Sequence, residues 1–143
     1  MKIITTKRKT RTVLEFERNE WQVADKEHYG IDVASDEFEG KPFYVTAYEG
    51  DAIVGVLTLS IRALVVSIDT LIVAKNKRGL GIGKALMKEA EQLAKAHHAH
   101  KIYLLTGKSW DAVHFYTARG YKITGELPNH YFHEDFVELT KYL

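Results

Sequence analysis

Residues 67–86 read SIDTLIVAKNKRGLGIGKAL: a run of strand formers, three glycines within five positions, and the start of a helical pattern. Such a turn lets backbone N–H groups approach phosphate oxygens, and the helix that follows adds the positive end of its dipole. A Walker A loop needs glycine six residues before the lysine and Ser or Thr after it, but Arg78 and Ala85 stand there. A dinucleotide fingerprint needs a further glycine where Lys84 or Leu86 stands. The residues do satisfy Arg-x-x-Gly-x-Gly, as Arg78-Gly79-Leu80-Gly81-Ile82-Gly83, with Lys75, Lys77 and Lys84 as further local cations. Taken alone, the turn is equally compatible with a glycine-rich connector that carries solvated lysines.

Outward from this turn, the pattern alternates between strand and helix. Upstream, PFYVTAYE and AIVGVLTLSI flank Gly50-Asp51 as a hairpin, and Arg62-Ala63 closes a second hairpin into residues 64–74. That third strand is apolar on both faces, as in a sheet covered from two sides. Val13, Phe16, Glu17, Trp21 and Ala24 recur at helical spacing and predict an amphipathic helix over 13–27, followed by an irregular acidic connection. The basic opening MKIITTKRKTRT reads as an edge strand or a tail.

Downstream, a helix is expected from about Gly81 to His97, with Ile82, Leu86, Leu93 and His97 on its apolar stripe and Ala85, Ala90 and Ala94 beside it. KIYLLTG is another strand, and Ser109 and Asp111 offer caps for a helix that Gly120 stops. Two closing strands are joined by the aromatic loop PNHYFHED. A strand–helix–strand unit within an otherwise antiparallel sheet requires one parallel pair, residues 64–74 with 101–106. The expected class is mixed α/β, and 143 residues without repeats or linkers are expected to form a single domain, 1–143.

Composition narrows the chemistry. The formal net charge of +1 provides no global field for nucleic acid or membrane, so an anion site must be local. With no cysteine there is no disulfide, thiolate metal site or cysteine nucleophile, and a reducing, cytoplasmic setting is expected. No stretch approaches the ~18 apolar residues of a membrane span. His97, His98 and His100 crowd a helix end at spacings that converge poorly on a metal, so no metal site is expected.

A second motif lies one helix and one strand beyond the glycine turn: Ala112-x-x-Phe115-Tyr116-x-x-x-Gly120-Tyr121. In this order and on these elements, the two motifs resemble the GNAT superfamily of acyl-CoA-dependent N-acetyltransferases, most sharply from Ile68 to Gly125. Residues 1–41 carry none of the resemblance. It implies a GNAT-like fold with a central mixed, mostly antiparallel sheet, helices on both faces and one splayed parallel pair, with the pantetheine arm of acetyl-CoA lying in the splay. Leu71, Ile72 and Val73 would bond that arm, and Arg78, Gly79, Leu80, Gly81, Ile82, Gly83 and Lys84 would hold the pyrophosphate. Ser109, Ala112, Phe115 and Tyr116 would complete the cofactor contacts, with Ser109 standing where many relatives carry Asn.

Acyl transfer also needs proton management. Deprotonating a lysine-like amine of pKa ~10.4 at pH 7 costs about 4.6 kcal/mol, so a base or water chain must take the proton. The resemblance implies Tyr116 as the acid at the leaving thiolate and Asp69 as a candidate base. Alternation places Asp69 on the face of Leu71 and Val73, where it could equally pair with a structural cation. Glu126, His130, Tyr131, His133 and Glu134 cluster in the last hairpin, which in relatives often borders the acceptor. The implied acceptor is a small-molecule or peptide amine, to which Phe43, Tyr44, Tyr131 and Phe132 with Glu37, Glu39 and Glu134 add a hint of cationic character. The implied state is a monomer or homodimer. The competing reading is a non-catalytic acyl-CoA-binding or sensing module of the same fold.

Overall fold

A computed structural model of the chain describes every residue except Ser35 and falls into two units, Met1–Glu39 and Gly40–Leu143. The first is built on helix α1, Arg11–Tyr29. Thr10 caps it by accepting the Val13 N–H at 3.3 Å, and Gly30 ends it in the left-handed conformation. Ion pairs Lys9–Glu17 and Arg11–Glu15 run along the helix, and none of its residues is fully buried. Residues 1–10 form no strand, and Arg11 and Thr12 of the basic opening begin α1.

The second unit carries a six-stranded sheet. In chain order its elements are β1 (Lys41–Glu49), β2 (Ala52–Arg62), β3 (Val65–Val73), α2 (Ile82–Ala96), β4 (Lys101–Gly107), α3 (Ala112–Thr117), β5 (Lys122–Leu127) and β6 (Phe136–Tyr142). The spatial order is β1-β2-β3-β4-β6-β5, with every neighbouring pair antiparallel except β3–β4. This is the mixed α/β sheet with one parallel pair that the strand–helix–strand order requires. Among the described residues no helix is long and apolar enough to cross a membrane.

Three local differences from expectation have physical causes. The second hairpin turns at Ala63-Leu64, not at Arg62-Ala63, and both turn residues take positive φ without a glycine to signal it. Helix α2 buries Leu86, Met87, Ala90 and Ala94, while Ala85 and His97 are exposed. The helix is thus rotated toward Met87 relative to the expected stripe, and Leu86 packs close over Gly55 of β2. Finally, neither Ser109 nor Asp111 caps α3 with its side chain, although Gly120 stops the chain as expected, at φ +85°.

The core lies between α2 and the face of the sheet formed by Leu57, Leu59, Val66 and Ile68, and it continues through Ile102, Leu104, Val137 and Leu139. Tyr121 is also buried, and Lys141 on β6 bonds Glu91 of α2 at 2.8 Å beside it.

Candidate active site

Strand β3 pairs with β4 only from Val65 to Ile68. Beyond that point β4 continues along β6 to Gly107, and β3 continues along β2 to Val73, so the two parallel strands part. The edge of Thr70–Val73 that would face β4 is left without a strand partner. The wedge opens into a cavity of about 470 Å³ lined on one side by Leu71, Ile72 and Val73 and on the other by Ala112, Phe115 and Tyr116 of α3. Its end is formed by Arg78, Gly79, Gly81, Ile82, Gly83 and Lys84.

At that end the backbone is arranged to receive an anion. Gly79 and Gly81 adopt φ +78° and +85°, conformations that L side chains rarely take, and nothing lies within 4 Å of where a Cβ would stand. Gly81 is the N-cap of α2 and offers no side-chain acceptor, so the first-turn N–H groups of Ile82, Gly83 and Lys84 have no cap among the described residues. Arg78 Nε donates to the Val73 carbonyl at 3.2 Å, and Lys77 is paired with Glu49.

Tyr116 is 7% exposed and packs edge-on against both Phe115 and Tyr121. Burial pushes its hydroxyl up to about pKa 12, with the nearby Arg119 charge acting in the opposite direction. Burial likewise raises the Tyr121 hydroxyl, helped by Glu91 and by Tyr116 itself.

Not every expected site residue reaches this cavity. Leu80 is 69% exposed at the crest of the turn, and Ser109 is exposed on the loop after β4; neither lines the cavity. Asp69 departs for a clearer reason. The register runs Thr58↔Thr70 and then Leu59↔Ile68, so Asp69 is the extra residue of a β-bulge. The bulge breaks the alternation that would have put Asp69 beside Leu71 and Val73. Its carboxylate instead accepts the Ser67 hydroxyl at 2.9 Å, and Ser67 meets Ser60 across the strands, on the face opposite Leu59 and Ile68. The bulge also allows Leu71 and Val73 to share the α2 face with Val66 and Ile68. Arg119 lines the cavity and was not among the expected contacts; its readable trace is the i, i+4 spacing from Phe115.

Of the residues expected to border an acceptor, Phe43, Glu126, His130, Tyr131, His133 and Glu134 do not line the cavity. Phe43 is packed against the core and His97, and Glu126 is paired with Lys108 at 3.2 Å. His130, Tyr131 and Phe136 form an aromatic cluster joined by Trp110, with His130 Nε2 buried and unpartnered. Asn129, Phe132 and His133 all take positive φ in the same loop, where His133 Nδ1 lies 2.9 Å from Asn129 Oδ1.

The sequence model of the acetyltransferase (GNAT) family matches residues 10–121, well over half of the chain. The chain belongs to the GNAT acetyltransferase family. Among curated proteins it is 34% identical over 98 residues to the uncharacterized protein YdhI of Bacillus subtilis (strain 168), an alignment that takes in 66% of this chain and 56% of that relative. Among solved structures it resembles an acetyltransferase from Bacillus cereus at TM-score 0.71 and 23% identity, covering 98% of both chains. It also resembles an aminoglycoside 6′-N-acetyltransferase complexed with coenzyme A, at TM-score 0.63 and 20% identity over 99% of this chain and 97% of that one. At these identities the structural likeness speaks for the fold of this GNAT chain.

Proposed function

We propose that this chain is an N-acetyltransferase that moves an acetyl group from acetyl-CoA to a primary amine by direct attack, and that residues 1–143 act as one catalytic domain. The observation that carries the reading is the cavity between the end of β3, where it has parted from β4, and α3, which ends on three uncapped N–H groups of α2. The cavity fits an extended chain with an anionic end: a strand edge without a partner along its length, and positive backbone poles with Arg78 and Lys84 at its end.

Acetyl-CoA supplies an acyl carbon activated by a thiol leaving group. In this reading Leu71 and Val73 hold the donor through their open backbone edge, and Gly79, Gly81 and Gly83 keep side chains away from its pyrophosphate. The amine nitrogen attacks the thioester carbon, the C–S bond breaks, and the amine proton passes to water, reaching Asp69 only through a water chain because Asp69 does not line the cavity. Asp69 stands at the fork where β3 leaves β4, exposed and held by Ser67.

The raised pKa of Tyr116 supports a positioning role for its hydroxyl. An ordinary thiol titrates near ~8.5, so full transfer of a proton from a phenol near pKa 12 to a thiolate would be uphill by about 4–5 kcal/mol. Tyr116 therefore serves as a neutral hydrogen-bond donor that stabilises charge growing on the sulfur, and the thiolate is protonated by solvent afterwards.

Thermal unfolding with acetyl-CoA, CoA and ADP tests the donor, and thiol release across a panel of amines tests the transfer. A ligand at ~100 times its Kd adds about 2.7 kcal/mol, and on a chain of this size a midpoint rise of roughly 5–15 °C is expected. Absence of any rise at millimolar CoA would sink the proposal. A rise without thiol release on any amine would establish the binding-module reading in its place.

A further inference from the structure

We propose that Arg119 is a phosphate-binding residue of this cavity, taking a phosphate of the donor nucleotide side-on through the Nε–Nη2 edge of its guanidinium. The proposal rests on the CoA reading of the cavity and adds to it a contact that neither sequence motif contains.

The placement of the group is unusual for an arginine with a purely structural role. Its Cζ lies 3.5 Å from the centre of the Phe115 ring, so the guanidinium is held over that ring by a cation–π contact. Its Nη1 donates to the Phe115 carbonyl, one of the free carbonyls at the end of α3. That leaves the opposite edge. Among the described residues the buried Nε has no acceptor and no carboxylate pairs with the side chain. A desolvated donor without an acceptor, on a cation without a counter-charge, is costly in a finished structure. An anion entering the cavity removes both penalties at once.

The neighbours identify the anion. The Phe115 ring that carries Arg119 abuts the first turn of α2, where a Cβ on Gly83 would lie 3.2 Å from Phe115 Cζ. Arg119 and the first turn of α2 therefore share the Phe115 ring as a neighbour and line the same cavity, where both present positive charge. Phosphate is the anionic chemistry of the CoA nucleotide, and the planar fork of Arg matches two of its oxygens. That chemistry has two sources in CoA, the pyrophosphate and the 3′-phosphate.

The test measures Kd of the wild type, Arg119→Met and Arg119→Lys for CoA, 3′-dephospho-CoA and phosphate-free pantetheine, with circular dichroism to confirm folding. Binding is the readout because Arg119 also adjoins Tyr116, so turnover would mix two effects. Arg119→Met is expected to weaken CoA at least tenfold, Arg119→Lys to recover only part of the loss, and pantetheine to bind all three proteins alike. A penalty that persists with 3′-dephospho-CoA assigns the pyrophosphate, and one that vanishes assigns the 3′-phosphate; either upholds the proposal. A folded Arg119→Met within twofold of wild type for CoA would overturn it, as would an equal penalty with pantetheine. If Arg119→Met does not fold, Arg119→Lys decides by the same comparison of CoA with pantetheine. Failure of the wild type itself to bind CoA removes the donor reading, a result separate from any failure of Arg119.

Discussion

The two halves of β3 share one strand and nearly the same composition, yet they do opposite work. Val65–Ile68 is paired on both sides, with Val66 and Ile68 in the core; Leu71–Val73 is paired on one side and lines a cavity. What separates them is a single inserted residue, Asp69, at the point where β4 departs. An apolar side chain therefore does not by itself mean core: Val66 fills the interior, while Val73 on the same face lines a wedge kept open by topology.

The strongest challenge to this contrast is Tyr116→Phe, which removes one oxygen from the open side. Turnover is expected to fall about 10²- to 10³-fold with donor Kd nearly unchanged, measured as kcat and Kd on the same preparation. Unaltered turnover would reduce Tyr116 to packing. The next test sets the halves against each other. Ile102→Ala, opposite Val66 in the closed half and fully buried, should cost about 2–5 kcal/mol in urea unfolding. Leu71→Ala in the open half should cost under about 1.5 kcal/mol and instead weaken donor binding. Equal stability losses would erase the distinction.

The smallest expected effect is alkaline. Because burial raises the folded-state pKa of Tyr116 to about 12 from the ordinary 10, the folded protein keeps a proton that the unfolded chain loses. That stability is fully present below pH 10 and lost as pH rises toward 12, amounting to about 1.4 kcal/mol by pH 11. Tyr116→Phe lacks the term, so the stability gap between wild type and variant should narrow by that amount between pH 9 and pH 11. A gap independent of pH would mean that the hydroxyl is solvated.

The strand–turn–helix core of the site was legible because glycine is conspicuous where φ must be positive, as at Gly79 and Gly81. The bulge was not, since Asp69 interrupts nothing in a run that alternates plausibly with or without it. The turn at Ala63-Leu64 was shifted by one residue because two ordinary side chains occupy backbone conformations that usually announce themselves through Gly or Asn. Arg119 was hidden for a different reason: lying over the Phe115 ring and lacking an acceptor among the described residues are properties of three-dimensional neighbours, and a lone arginine before a glycine displays neither.

The bond from Arg78 Nε to the Val73 carbonyl makes ligand entry an exchange and not a simple addition. The cation nearest the glycine turn already serves as a surrogate guest, occupying a backbone acceptor at the end of the open strand. A donor that claims this carbonyl has to evict Arg78, and the evicted guanidinium is then free to follow the incoming charge. Observed affinity is therefore a difference between two partnerships, and deleting Arg78 would remove a competitor and an ally in the same stroke.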